Sequence, residues 1–157
     1  MLCFVIAISS GGFLCWNWPP ARIFMGDVGS CLLGFSFGVL AFATVKESVL
    51  SLVIWVIMLS VFICDATLTL LMRFLKGEKW YAAHRSHAYQ RLVQMGLSHA
   101  GLAIGFLLLN VVLLWPFAYF VWRSEGDSLY ILSGVIVIMC LLWGGIQWRF
   151  HKLSIPG

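Results

Sequence analysis

A chain of 157 residues that is 62% hydrophobic and 10% charged, with a mean hydropathy of +0.98, has too little polar surface for a water-soluble globule of that size. The composition points to a membrane protein. The net charge of +4 comes without an aromatic-interleaved basic groove or a recognised nucleic-acid module, so it reads as topology and anionic-lipid contact, and no nucleic acid is expected as a partner.

Residues 2–16 form a short apolar run. It lacks the basic start of a signal peptide, and Ser9-Ser10-Gly11-Gly12 interrupts it, so a short or cut membrane helix is expected. The stretch Asn17-Trp18-Pro19-Pro20-Ala21-Arg22 follows, stiffened by two prolines, and leads into Phe24-Met25-Gly26-Asp27-Val28-Gly29-Ser30. Asp27 stands between two glycines where a nearly uncharged run, about 28–45, begins. A carboxylate at the edge of hydrocarbon needs a cation, a proton or a special environment, which makes it a candidate functional residue. A turn followed by an Asp or Ser helix cap is the plainer alternative.

A second run covers about 48–72 and contains Asp65, roughly 12 Å along a helix from Arg73. A carboxylate so placed is expected to be neutral, paired or near a metal. The loop at about 73–98 collects Arg73, Lys76, Lys79, Arg85 and Arg91, whereas Lys46 and Arg123 stand alone in short turns. The positive-inside rule puts that loop in the cytoplasm, and alternation of spans then brings residues 17–27 to the same side. In the loop, Arg85 offers a planar donor fork for phosphate, and His84 and His87 titrate near physiological pH; an ordinary solvated basic loop has the same composition.

Two further runs, about 100–122 and 129–148, complete a predicted all-α, polytopic membrane bundle of about five helices, read as a single membrane domain over 1–157. Pro116 is expected to bend the first of these runs, and Asn110 to bond between helices. Tyr119, Trp122, Tyr130, Trp143 and Trp148 read as an aromatic belt. Gly34 to Gly38 and Gly101 to Gly105 have the spacing that lets helices approach closely. The cysteines at 3, 15, 31, 64 and 140 show no CxxC spacing and read as small apolar packing residues.

Asn17, Pro20, Ala21, Arg22, Ile23, Phe24, Met25, Gly26, Asp27, Gly29 and Ser30 together resemble the signature of the polyprenyl-phosphate N-acetylhexosamine-1-phosphate transferases, glycosyltransferase family four. Asp65 and Arg73 fall where that family has an acidic residue and an arginine on the next long helix. Arg85 and His87 match its His-rich cytoplasmic loop, while His84, Tyr89 and Gln90 replace the aspartate and last two histidines of the common form. The variant looks like the branch that starts O-antigen chains on sugars other than the commonest N-acetylglucosamine.

The resemblance implies transfer of a sugar 1-phosphate from a UDP-N-acetylhexosamine to undecaprenyl phosphate at the cytoplasmic face of the bacterial inner membrane, with release of UMP. It implies magnesium, or manganese in its place, on Asp27 as the catalytic and metal-binding residue. Asn17, Arg22, Ser30, Asp65, His84, Arg85 and His87 are then the substrate-binding set. The upstream acidic motifs of the family have no counterpart before Asn17, so the chain is similar to only the C-terminal half of a fold of about ten or eleven helices. Met1 is then expected to be an internal methionine of a longer protein, or the start of a fragment or split frame. The missing half, or a second copy in a homodimer, becomes an expected partner, together with membrane lipids. Two other classes stay open: an ion-coupled transporter using Asp27 and Asp65, and an inactive structural fragment.

Overall fold

The structure, a computed structural model, describes residues 2–79, 86–124 and 126–154. Among these residues it is all helical: α1 Leu2–Asn17, α2 Gly26–Lys46, α3 Leu52–Leu75, α4 Ala88–Gln94, α5 His99–Leu108, a π-helical turn Leu109–Leu114, α6 Trp115–Arg123 and α7 Ser128–Ser154. Four stretches are long and apolar enough to cross a membrane: α2, α3, the continuous α5–π–α6 rod and α7. At 16 residues α1 is shorter, roughly 24 Å against a hydrocarbon core of about 30 Å. Each of the four predicted long runs corresponds to one of these helices, and the chain is a multi-pass membrane protein.

The chain divides into two compact units, residues 1–40 and 41–157. In the first, α1 ends at Asn17 and an eight-residue connection leads to α2, whose first residue, Gly26, has φ +63°. A side chain there would strain the backbone, so glycine sets the entry of the chain into α2.

In the second unit α3 packs against α7 and α6, and α4 lies against α7 and α5. The core consists of Ile54 and Ile57 from α3, Leu114, Ala118 and Val121 from the π turn and α6, and Val135 and Met139 from α7. Trp55 Nε1 donates to Thr44 Oγ1 at 2.8 Å, fastening the end of α2 to the first turn of α3. α3 stops at a glycine: Gly77 has φ +69°, and the N–H groups of Lys76, Gly77 and Glu78 close back on Met72, Phe74 and Arg73. Arg73 folds over that end, with Nη1 2.9 Å from Glu78 Oε2 and Nη2 donating to Lys79 O at 2.9 Å.

Two expectations are corrected here. Asn110 does not bond across helices; its Nδ2 donates to Phe106 O at 2.9 Å, one turn back in its own helix. Its amide finds a nearer acceptor in the preceding turn. The Gly101–Gly105 pair does not bring a neighbouring helix close: a Cβ on Gly101 would meet only Ser98 and Leu97, and one on Gly105 would meet open space. Pro116, expected to bend its helix, follows a widened turn. Lacking an N–H and crowding the carbonyl four residues back, proline disfavours the α ladder at that point, and the π turn immediately precedes it.

Apart from Lys46 and Arg123, the described basic residues of the second unit gather at one end. Gln147 Nε2 donates to Ser86 O at 3.3 Å and the Arg91 guanidinium lies 4.7 Å from the Phe150 ring centroid, so α4 and the C-terminal end of α7 lie together. Arg149, His151 and Lys152 belong to that end, while the turn before α7 lies at the other, a full helix length away. Cysteines introduced at Lys79 and Arg91 should therefore be labelled by an impermeant maleimide only from the cytoplasmic side, and one at Asp127 only from outside. Labelling of 79 and 127 from the same side would overturn this topology.

Candidate functional site

In the first unit, four candidate residues fall on the segment from Asn17 to Ser30. Asn17 Nδ2 donates to Ile23 O at 2.7 Å, and the Arg22 N–H donates to Trp16 O at 3.0 Å, so the Pro-containing connection is tied at both shoulders. The Pro19–Pro20 peptide is cis. The Arg22 guanidinium lies 5.9 Å from the Trp16 ring centroid, a cation–π arrangement that holds its positive fork beside the connection. Asp27 sits in the first turn of α2 and is exposed. Ser30 Oγ donates to the Asp27 carbonyl at 3.1 Å. The segment thus presents a guanidinium and a carboxylate on a connection fixed by side-chain bonds, next to a helix N-terminus that favours anions.

Magnesium usually takes one or two carboxylates and completes its octahedron with waters and substrate phosphates. The exposed carboxylate of Asp27 suits that mode of binding. Among the described residues no group of three or more His, Cys, Asp or Glu side chains comes together.

In the second unit Asp65 and His87 meet. The Asp65 carboxylate accepts the Ala88 N–H at 2.8 Å and the Thr69 hydroxyl at 3.3 Å through Oδ1, and His87 Nδ1 lies 3.4 Å from Oδ2. The side chains of Asp65 and His87 are only 17% and 25% exposed, so the contact is largely shielded from water. The His87 ring stacks on Tyr89 with centroids 5.8 Å apart. The Gln90 side chain accepts the His87 N–H at 3.3 Å, closing the first turn of α4 from the other side. The partner of Asp65 is therefore a histidine and a helix N-terminus, not Arg73. His84 and Arg85 lie outside the described residues.

Behind Asp65, Thr69 is fully buried, and Trp143 Nε1 donates to its hydroxyl at 3.3 Å. Trp143, read from sequence as part of an interfacial belt, is thus a polar partner inside the unit. Asp65 also borders an apolar cavity of about 270 Å³ walled by Val61, Leu102, Phe106, Met139, Leu142 and Trp143. Nearby on α4, burial lowers the affinity of the Arg91 guanidinium for its proton and Glu78 opposes the shift.

Sequence reasoning missed Thr69 and Gln147, gave Trp143 an interfacial place and named Gln90 only as a departure from the common form of the loop. Thr69 lies one turn from Asp65, and Trp143 and Gln147 are one turn apart on α7, so a search for polar groups at helical spacing inside apolar runs had a signal to find.

Residues 1–45 match the family profile of Glycosyl transferase family 4. The matched stretch contains Asn17, Arg22, Asp27 and Ser30. A Bacillus subtilis protein described as a probable undecaprenyl-phosphate N-acetylglucosaminyl 1-phosphate transferase is 34% identical over 145 residues, 90% of this chain and 40% of the relative. A phospho-N-acetylmuramoyl-pentapeptide-transferase of Granulibacter bethesdensis is 57% identical over 42 residues, 27% of this chain and 12% of the relative. One of Moorella thermoacetica is 48% identical over 52 residues, 32% of this chain and 16% of the relative. The chain therefore spans less than half the length of each of these relatives. No solved structure matches the chain at a significant level.

Proposed function

We propose that the chain is the C-terminal part of a transferase that moves N-acetylhexosamine 1-phosphate from a UDP-sugar to undecaprenyl phosphate at the cytoplasmic face of a bacterial inner membrane, the first step of a cell-envelope polysaccharide such as O-antigen. The observation that carries this reading is the segment Asn17–Ser30. It lies in the family-matched region, and its bonds hold Arg22 and an exposed Asp27 at the start of a membrane-length helix.

In such a reaction an oxygen of the lipid phosphate attacks the sugar-linked phosphorus and forms a new P–O bond. The bond from that phosphorus to the bridging oxygen breaks, and UMP leaves with the electron pair. Both substrates are anionic, so bringing them together requires positive charge and oriented donors. Arg22 and Arg85 supply guanidinium forks, His84 and His87 supply imidazoles, and Asn17 and Ser30 keep the connection and the first turn of α2 in shape. A magnesium ion, or manganese in its place, would be held by Asp27 and would neutralise charge on the facing phosphates.

The test is UMP release in detergent with magnesium, undecaprenyl phosphate and a panel of UDP-N-acetylhexosamines. The chain alone should release none above background, because the upstream acidic motifs of the family are not in it. Supplied with the N-terminal part that its longer relatives carry, it should turn over one sugar of the panel. Turnover by the chain alone would show that the chemistry has been assigned to the wrong half.

A further inference from the structure

Asp65 lies on α3, inside a membrane-length helix, yet its carboxylate is engaged by groups on and around α4. The first N–H groups of a helix have no partner within it, and the Ala88 N–H is one of them; Asp65 Oδ1 supplies what the helix cannot. The second carboxylate oxygen faces His87 Nδ1 at 3.4 Å. One side chain therefore fixes both the start of α4 and the tilt of the imidazole that precedes it.

The carboxylate is itself held. Thr69 donates to Oδ1 at 3.3 Å and its oxygen accepts the Trp143 indole N–H at 3.3 Å, so α7 steadies Asp65 through Thr69. One turn on, Gln147 Nε2 reaches Ser86 O, the residue just before His87. Two residues of α7, one turn apart, thus hold the His87 segment from the carboxylate side and from the backbone side.

We infer that Asp65 is a positioning residue that orients His87 for the nucleotide sugar, and not itself a substrate ligand. The inference rests on the proposed transferase reading for what His87 does, but not for how it is held. In metal sites, partners that orient a ligating histidine change affinity or activity by about 10- to 100-fold when removed, and that range sets the scale here.

Asparagine and alanine at this site separate the two jobs of the carboxylate. In Asp65→Asn the amide oxygen can still accept the Ala88 N–H, but the negative charge that faces His87 Nδ1 is gone and an amide stands in its place. Asp65→Ala loses both contacts. Amide exchange of Ala88, followed in the chain in detergent, should stay near the wild-type rate in Asp65→Asn and accelerate about tenfold in Asp65→Ala, with exchange in α7 as the check on folding. In the chain supplied with its N-terminal part, Asp65→Asn should raise KM for the UDP-sugar about tenfold while kcat falls less than threefold. Asp65→Asn should add less than about twofold to His87→Ala, because the two act through one group.

The assignment is overturned if Asp65→Ala leaves Ala88 exchange unchanged, or if the Asp65→Asn and His87→Ala losses multiply. If Asp65→Ala does not fold, the Asp65→Asn arm and its cycle with His87→Ala decide alone. If the wild-type assembly releases no UMP, the transferase reading fails, and the exchange measurements still decide whether Asp65 holds α4.

Discussion

Asp27→Asn, in the chain supplied with the N-terminal part of the fold, is expected to lower the turnover number for UMP release by about a hundredfold or more while leaving the protein folded. The substitution keeps the size of the side chain and removes its charge. If Asp27 only favoured the start of α2, losing the charge would cost about 0.3–1 kcal/mol through the helix dipole, and activity would follow only the small loss of folded protein. If it holds the divalent cation between two facing phosphates, the loss falls on the transition state, and a hundredfold change in rate is about 2.7 kcal/mol. Turnover and thermal stability, measured on the same preparation across a magnesium titration, separate the two cases. Near-normal turnover at limiting magnesium would remove Asp27 from the metal.

Leu114→Ala should produce the largest loss of stability among single truncations in the second unit. Leu114 has no exposed surface and contacts the core formed by α3, α6 and α7. In water a Leu→Ala change in a core costs 2–5 kcal/mol, part of it the return of apolar surface to solvent. In a bilayer the unfolded reference is as apolar as the core, so what remains is mainly lost dispersion and an unfilled hole, about 2 kcal/mol. Reversible unfolding in mixed micelles should show this shift, whereas Leu141→Ala, at a residue 70% exposed on α7, should change stability by less than about 0.5 kcal/mol. Equal effects at the two positions would mean that the described packing is not the packing of the protein in lipid.

The membrane character and the spans were legible because a bilayer imposes one length on every crossing segment. The ends were less so. The last apolar run was placed at about 129–148, yet α7 continues to Ser154 through Arg149, His151 and Lys152. Hydropathy marks where a helix leaves hydrocarbon, not where its hydrogen bonds stop, and a basic last turn suits both the helix dipole and the lipid headgroups. The start of α3 shifted the other way. Val49 and Leu50 are apolar, but Ser48 has φ +55° and the helix opens only after Ser51.

The candidate site was legible where it is local and illegible where it is not. Asn17, Arg22, Asp27 and Ser30 lie within fourteen consecutive positions of the sequence, so their pattern could be read directly. The meeting of Asp65 with His87 depends on α4, a seven-residue helix inside what reads as a basic loop, and on donors from α7 that lie 74 and 61 positions from their acceptors. No spacing along the chain encodes such a contact. Sequence did mark Asp65 as a carboxylate that is neutral, paired or near a metal, and left those three open; a helix end was not among them.

The widened turn at Leu109–Leu114 also sets the rotational phase of everything after it. Leu109 and Leu114, five positions apart, both contribute to the core of the second unit. On an unbroken α-helix, at about 100° per residue, they would point some 140° apart. The wide turn takes up that difference like an extra tooth in a gear, so the Leu114–Ala118–Val121 stripe of α6 meets α3 and α7 while the earlier half of the same rod turns Gly101, Leu102, Gly105 and Phe106 toward the cavity. One membrane crossing thus keeps a face toward α3 and α7 along both of its halves. On a strictly periodic helix, Leu109 and Leu114 would point to different sides.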